Sequence, residues 1–109
     1  MIIVVTGLKL KALWHYPAFT YHAFRSFGQA QRAEGCVSAQ TRKVGPVYHT
    51  ITAWRDGVAM KRYASSGAHG EAERAFSRMA TGRVAIFESD ATPDWPQALQ
   101  IWDRDAHEV

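Results

Sequence analysis

The chain opens on an apolar run that changes period as it goes. Ile2 to Lys11 begins with unbroken β-branched residues and ends in the alternation Leu8-Lys9-Leu10-Lys11. That is the pattern of a central strand whose far end reaches solvent. After the aromatic loop Leu13-Trp14-His15-Tyr16, Pro17 suits a first helical turn, and Phe19, Ala23, Phe27 and Ala30 recur at helical spacing. The spacing predicts a helix over Pro17–Ala33, with Gly35 as a left-handed residue at its end. Cys36 to Lys43 alternates small or apolar with polar residues, Gly45-Pro46 supplies turn chemistry, and Val47 to Trp54 is β-branched and aromatic, so the stretch reads as a hairpin. Asp56 caps a short helix reaching Ala64, and Ser65-Ser66-Gly67 breaks it and caps a second segment, Ala68–Ala80, closed by Gly82. Arg83–Glu88 reads as a last short strand. Thr92-Pro93-Asp94 then opens a helix with Trp95, Leu99 and Trp102 on one stripe, and His107 and Glu108 are expected to fray.

The order β, α, β, β, α, β plus a terminal helix predicts an α+β, ferredoxin-like domain with both crossovers right-handed and the helices on one face of an antiparallel sheet. The other face is left bare. An open apolar face of this kind predicts a homodimer that buries sheet on sheet.

Composition agrees with one domain. The 109 residues are 47% hydrophobic and 21% charged, enough apolar material for a core and unlike a disordered chain. A net charge of +3 carries no basic run of five or more, so nucleic acid is not expected as a partner. No stretch approaches the ~18 apolar residues of a membrane span, and a membrane is not expected either. Cys36 is the only cysteine, which fits a reducing compartment. With a start that lacks the basic segment and cleavage site of a leader peptide, the expected location is cytoplasmic.

The stretch His49-Thr50-Ile51-Thr52-Ala53-Trp54, followed by Ala59-Met60-Lys61-Arg62-Tyr63-Ala64-Ser65-Ser66-Gly67-Ala68-His69, resembles the strand-to-helix segment of the dimeric α/β-barrel superfamily. That superfamily includes the antibiotic-biosynthesis-monooxygenase-like proteins, and the wording is most similar to the spheroidene monooxygenase group. The resemblance implies a cavity between sheet and helices that in different members holds polyketide aromatics or haem. Oxygenation, either cofactor-independent or haem-assisted, would follow from it. The Asn, helical Trp and His used by haem-degrading members have no counterparts here, the matching places being Tyr63 and Glu73. Haem is therefore possible but not required.

Several residues carry candidate chemistry. His69, three residues after Ser66, is a candidate acid–base residue or merely packs the helix start, and His22 projects from the flank of the first helix. Trp14, Tyr21, Phe24, Trp54 and Tyr63 with His49 would make an aromatic ligand pocket or plain core. Arg25 would pair an anionic ligand group or sit solvated. On the third strand Tyr48, Thr50, Thr52 and Trp54 share one face while His49, Ile51 and Ala53 share the other, and which of them meets the helices stays open. The spacing of His and Cys supplies no metal-ligand motif. The reading is a monooxygenase-like protein holding a small apolar or aromatic metabolite. Its alternatives are a non-catalytic homodimeric binding module and a structural dimer with a filled core.

Overall fold

The first strand, β1, runs Ile2–Leu10 and becomes the middle of the sheet. A computed structural model describes residues 1–109, the side chain of Ala68 excepted. After a 3-10 turn at Leu13–His15 come α1 (Tyr16–Arg32), β2 (Cys36–Val44), β3 (Val47–Trp54), α2 (Gly57–Ala64), α3 (Gly67–Met79), β4 (Ala80–Glu88), α4 (Trp95–Asp105) and β5 (His107–Glu108). The sheet has the order β2-β3-β1-β4-β5 with every pair antiparallel. Its first four strands give the expected ferredoxin-like order.

Local chemistry fixes the joints. Asp56 Oδ1 accepts from Ala59 N at 2.8 Å, Ser66 Oγ from His69 N at 3.3 Å and Asp94 Oδ1 from Gln97 N at 2.9 Å, so three helix starts are capped by the residue types their sequences place there. Gly45, at φ +58, is the first central residue of the two-residue β2–β3 turn, a conformation that glycine takes without a Cβ clash.

Two boundaries differ from expectation. β4 begins at Ala80 rather than Arg83, and Gly82 lies inside it opposite Leu8 instead of closing a helix. The ladder to β1 wins because Leu8 and Leu10 continue that strand, and Ala80 is paired and buried against them. The tail does not fray: His107 and Glu108 pair with Val84 and Arg83, and Val109 N bonds Gly82 O at 3.2 Å.

The largest departure concerns the sheet face expected to be bare. Tyr48 and Trp54 turn toward α1–α3, where Phe19 meets Tyr48 at 4.8 Å and Tyr63 stacks on Trp54 at 5.1 Å. The opposite face carries Ile3, Val5, Ile51 and Ala53, all wholly buried with Ala98 of α4, while Trp95 and Trp102 pack around them. The chain's own last helix therefore covers this face. The argument from exposed area for a second copy there falls away, because burying an Ile or Val side chain is worth about 1.5–3 kcal/mol and α4 already collects it. Sequence alone does not say to which side a terminal helix folds back.

His49 lies on the face under α4. It is 3% exposed, its Nδ1 lies 3.1 Å from Thr6 O, and the Trp102 ring meets it edge-on at 4.7 Å. Trp102 Nε1 donates to Arg83 O at 2.9 Å. This arrangement requires a glycine at position 7: a Cβ there would overlap the Trp102 ring and come within 2.9 Å of His49 Cε1. Gly7→Ala is expected to lower unfolding free energy by about 1–3 kcal/mol in urea titrations, an overpacking cost. An unchanged midpoint would show that Trp102 does not seat as described.

Burial pushes the His49 imidazole below its ordinary value, with the Thr6 bond and the Asp103 charge pulling partly back. The unfolded chain thus binds this proton more readily than the folded one. Stability from neutral His49 is complete above about pH 6.5 and is lost as pH falls from there through the lowered folded value. The urea midpoint should drop between about pH 7 and 5, and His49→Gln should flatten that part of the profile.

Candidate functional site

The functional candidates converge on the seam where α1 lies against α2 and α3. Phe19 of α1 packs on Phe76 of α3 at 5.4 Å and closes one end. Farther along α1, Ser26 receives Tyr63 of α2: the phenol donates to Ser26 O at 3.1 Å, and the Ser26 hydroxyl stands 3.2 Å from the phenolic oxygen. The Tyr63 ring stacks on Trp54 with planes 28° apart and meets the His69 ring at 4.8 Å. Trp54 is buried, and its Nε1 donates to Thr52 Oγ1 at 3.0 Å. Burial pushes the Tyr63 phenol above its ordinary value, and the Ser26 hydrogen bond only partly offsets this. Tyr63 is accordingly a neutral donor near pH 7.

His69 is the polar end of this stack. Its Nε2 lies 3.0 Å from Glu73 Oε1 one helical turn on, while Nδ1 is enclosed with no hydrogen-bond partner. A carboxylate only accepts, so Nε2 carries the hydrogen and Nδ1 keeps its lone pair. The result is an imidazole held in one tautomer with its basic nitrogen turned inward.

Two hollows open along the seam. A groove of about 320 Å³ has apolar walls from Ala33, Ala59 and the Tyr63 ring, with Gln29, Arg62 and Ser66 as polar handles. At its rim Arg62 pairs with Glu34 at 3.5 Å, an exposed contact of small worth. The groove falls within the range of small-molecule pockets. Beside it, sharing Gln29, a crevice of about 10 Å³ runs between His22, Arg25, Ser26 and Glu71, room for a single water. Arg25 pairs there with Glu71 at 3.6 Å.

The structure thus brings together His69, Tyr63 and Trp54, with His22 and Arg25 in the neighbouring crevice. Others expected in the pocket stand elsewhere. His49 is on the far side of the sheet, under Trp102. Trp14 precedes α1 and lies on His15 at 3.8 Å, and Tyr21 and Phe24 point outward from α1, all three mostly exposed. Helical geometry explains this, since residues two and five beyond Phe19 lie far around the helix from it. The His69–Glu73 pair was legible as an i,i+4 spacing. Ser26, Gln29 and Arg62 carried no local signal, because only the tertiary seam gives them a role.

Among the described residues no group of three or more His, Cys, Asp or Glu is placed to hold a metal ion. Haem does not suit the groove: among the described residues no histidine stands in its wall, and Nε2 of His69 is taken by Glu73. Burial raises the Cys36 thiol above its ordinary value, which disfavours the nucleophilic thiolate.

No family model and no curated protein matches the sequence. Solved structures do match the fold. The cofactor-independent oxygenase SnoaB of Streptomyces nogalater aligns over 85% of this chain and 97% of its own, with TM-score 0.70 and 19% identity. An antibiotic biosynthesis monooxygenase aligns over 84% and 100%, with TM-score 0.74 and 10% identity. A Deinococcus radiodurans candidate for the same activity aligns over 86% and 97%, with TM-score 0.76 and 13% identity. The chain therefore has the antibiotic-biosynthesis-monooxygenase-like fold.

The phenol–serine contact has a measurable weight. Tyr63→Phe keeps the Trp54 stack and should cost about 0.5–1.5 kcal/mol in urea unfolding. Combined with Ser26→Ala it should cost less than the two single losses added together. Strict additivity would show that the two groups do not interact.

Proposed function

We propose that this chain binds a small apolar or aromatic metabolite in the α1–α2 groove and oxygenates it without a cofactor, with His69 as proton acceptor. The observation that supports this is the His69–Glu73 pair behind Tyr63: a fixed tautomer with an unpartnered, enclosed Nδ1 beside an apolar groove. A planar ligand entering the groove meets Ala33, Ala59 and the Tyr63 ring. Swinging Tyr63 off Ser26 then brings the ligand against Nδ1.

The chemistry follows from that nitrogen. His69 removes a proton from an acidic C–H or phenolic O–H, and Glu73 steadies the imidazolium that forms. The electron-rich ligand anion is itself the reductant of dioxygen. A methylene carbon gains one oxygen as a carbonyl, and the second oxygen leaves as water with the two hydrogens that carbon loses. The apolar walls keep bulk water from the anion. Gln29, Arg62 and Ser66 offer hydrogen bonds to oxygen substituents, and His22 in the adjoining crevice is a second, more distant proton acceptor.

Oxygen uptake with anthrone, a tricyclic aromatic bearing an acidic methylene, tests the reading. His69→Ala should reduce turnover by about 100-fold or more with binding retained, the usual weight of a positioned base. Glu73→Gln should have a smaller effect on turnover in the same direction. Binding of anthrone with no oxygen uptake would favour the non-catalytic module, and turnover insensitive to His69→Ala would contradict the assignment.

A further inference from the structure

Helix α1 is apolar on two opposite sides. Its inner stripe, Phe19, Ala23 and Ala30, enters the fold as a helix of a layered domain should. The outer stripe has no such explanation. Pro17, Tyr21, Phe24 and Gly28 recur at i, i+4, i+7 and i+11, one narrow line along the helix, and Leu13 and Trp14 continue it on the preceding turn. Their exposures are 87% for Leu13, 77% for Trp14, 60% for Tyr21 and 75% for Phe24. Single exposed apolar residues need no account, but a contiguous row of this size marks a surface that meets something.

Charge says what kind of surface it meets. From Met1 to Ala33 the chain holds Lys9, Lys11, Arg25 and Arg32 and not one Asp or Glu; Lys9 stands on the sheet face under α4, with Ile3, Val5 and Gly7, and the other three lie on the side of α1. Arg32 folds back along the stripe, its Nη1 within 3.4 Å of where a Gly28 side chain would begin. Lys11 sits at the other end, its Nζ on Ser77 O at 2.8 Å, which sets it beside the last turn of α3 and the exposed Arg78. Of the four basic residues only Arg25 meets a carboxylate among the described residues, Glu71 on α3. A two-fold contact of this stripe with itself would bring Lys11 and Arg32 against the same residues of the second copy with no acid on α1 to answer them, and like charges so placed repel.

We infer that this stripe is a docking surface for an anionic lipid bilayer, on which α1 lies flat. The row is suited to it in composition: Trp14 and Tyr21 have the amphipathic rings favoured at the headgroup level, and Leu13 and Phe24 reach the acyl boundary. Lys11 and Arg32, one at each end of the row, face lipid phosphates. No helix is long and apolar enough to cross a membrane, so the contact is peripheral and reversible. It is independent of the proposed chemistry, since the outer stripe and the α1–α2 groove use different residues of α1.

Vesicle sedimentation of the full chain tests this, comparing phosphatidylcholine alone with phosphatidylcholine containing roughly 30% phosphatidylglycerol. At low salt the chain should partition at least about tenfold more strongly onto the anionic vesicles, and salt should weaken that binding. Trp14→Ser with Phe24→Ser should reduce partitioning about tenfold or more with an unchanged circular dichroism spectrum, because both side chains are exposed. Lys11→Gln with Arg32→Gln should remove most of the preference for anionic lipid. Absence of sedimentation, equal binding to both vesicles, or indifference to either pair of substitutions overturns the inference. So does concentration-dependent self-association, without vesicle binding, that the serine variant abolishes: it would assign the stripe to a second copy.

Discussion

The arrangement of the seam depends on where the Tyr63 side chain is held. Its ring is stacked on a buried tryptophan of β3, its hydroxyl is tied to α1, and the same ring meets His69 from α3. One side chain thereby sets three elements relative to one another. The cost of burying a phenol is met by the Ser26 carbonyl, and burial keeps the group neutral. His69 inherits its position from this packing and its tautomer from Glu73. Without the first the imidazole would face solvent, and without the second its basic nitrogen would be undefined.

The two faces of the sheet divide the work. The face toward α1–α3 carries the seam and its openings, whereas the face under α4 is wholly packed around Ile3, Val5, Ile51, Ala53 and Ala98. That second core gives the sheet a rigid back, against which the helices of the other side are positioned. His49 belongs to the rigid side, where its neutral ring fills space beside Trp102 and bonds β1. A histidine there affects stability as a function of pH and does not touch the groove.

Much of the fold was legible because its signals are local. The β-branched run of β1, the Gly45-Pro46 turn and the caps at Asp56, Ser66 and Asp94 each act within a few residues and need no knowledge of the rest. The path of α4 was not legible. Trp95 and Trp102 announce an apolar stripe, yet which surface accepts it is decided by the vacancy at Gly7 and the small Ala98, groups far apart in sequence. The site divides in the same way. His69 and Glu73 are readable as helical neighbours, and Trp54 and Tyr63 as aromatics near a strand end. Ser26 and Gln29 acquire meaning only when α1 is laid beside α2, and Trp14, Tyr21 and Phe24 look like core material until the helix turns them outward.

The most direct test of the account is the protonation state of one ring. Two-dimensional NMR of the imidazole nitrogens of His69, made at a pH where the ring is neutral, reports which nitrogen carries the hydrogen. The account predicts hydrogen on Nε2 and a bare Nδ1, with the preference weakened in Glu73→Gln. Hydrogen on Nδ1, or a ring averaging freely between the two forms, would contradict it.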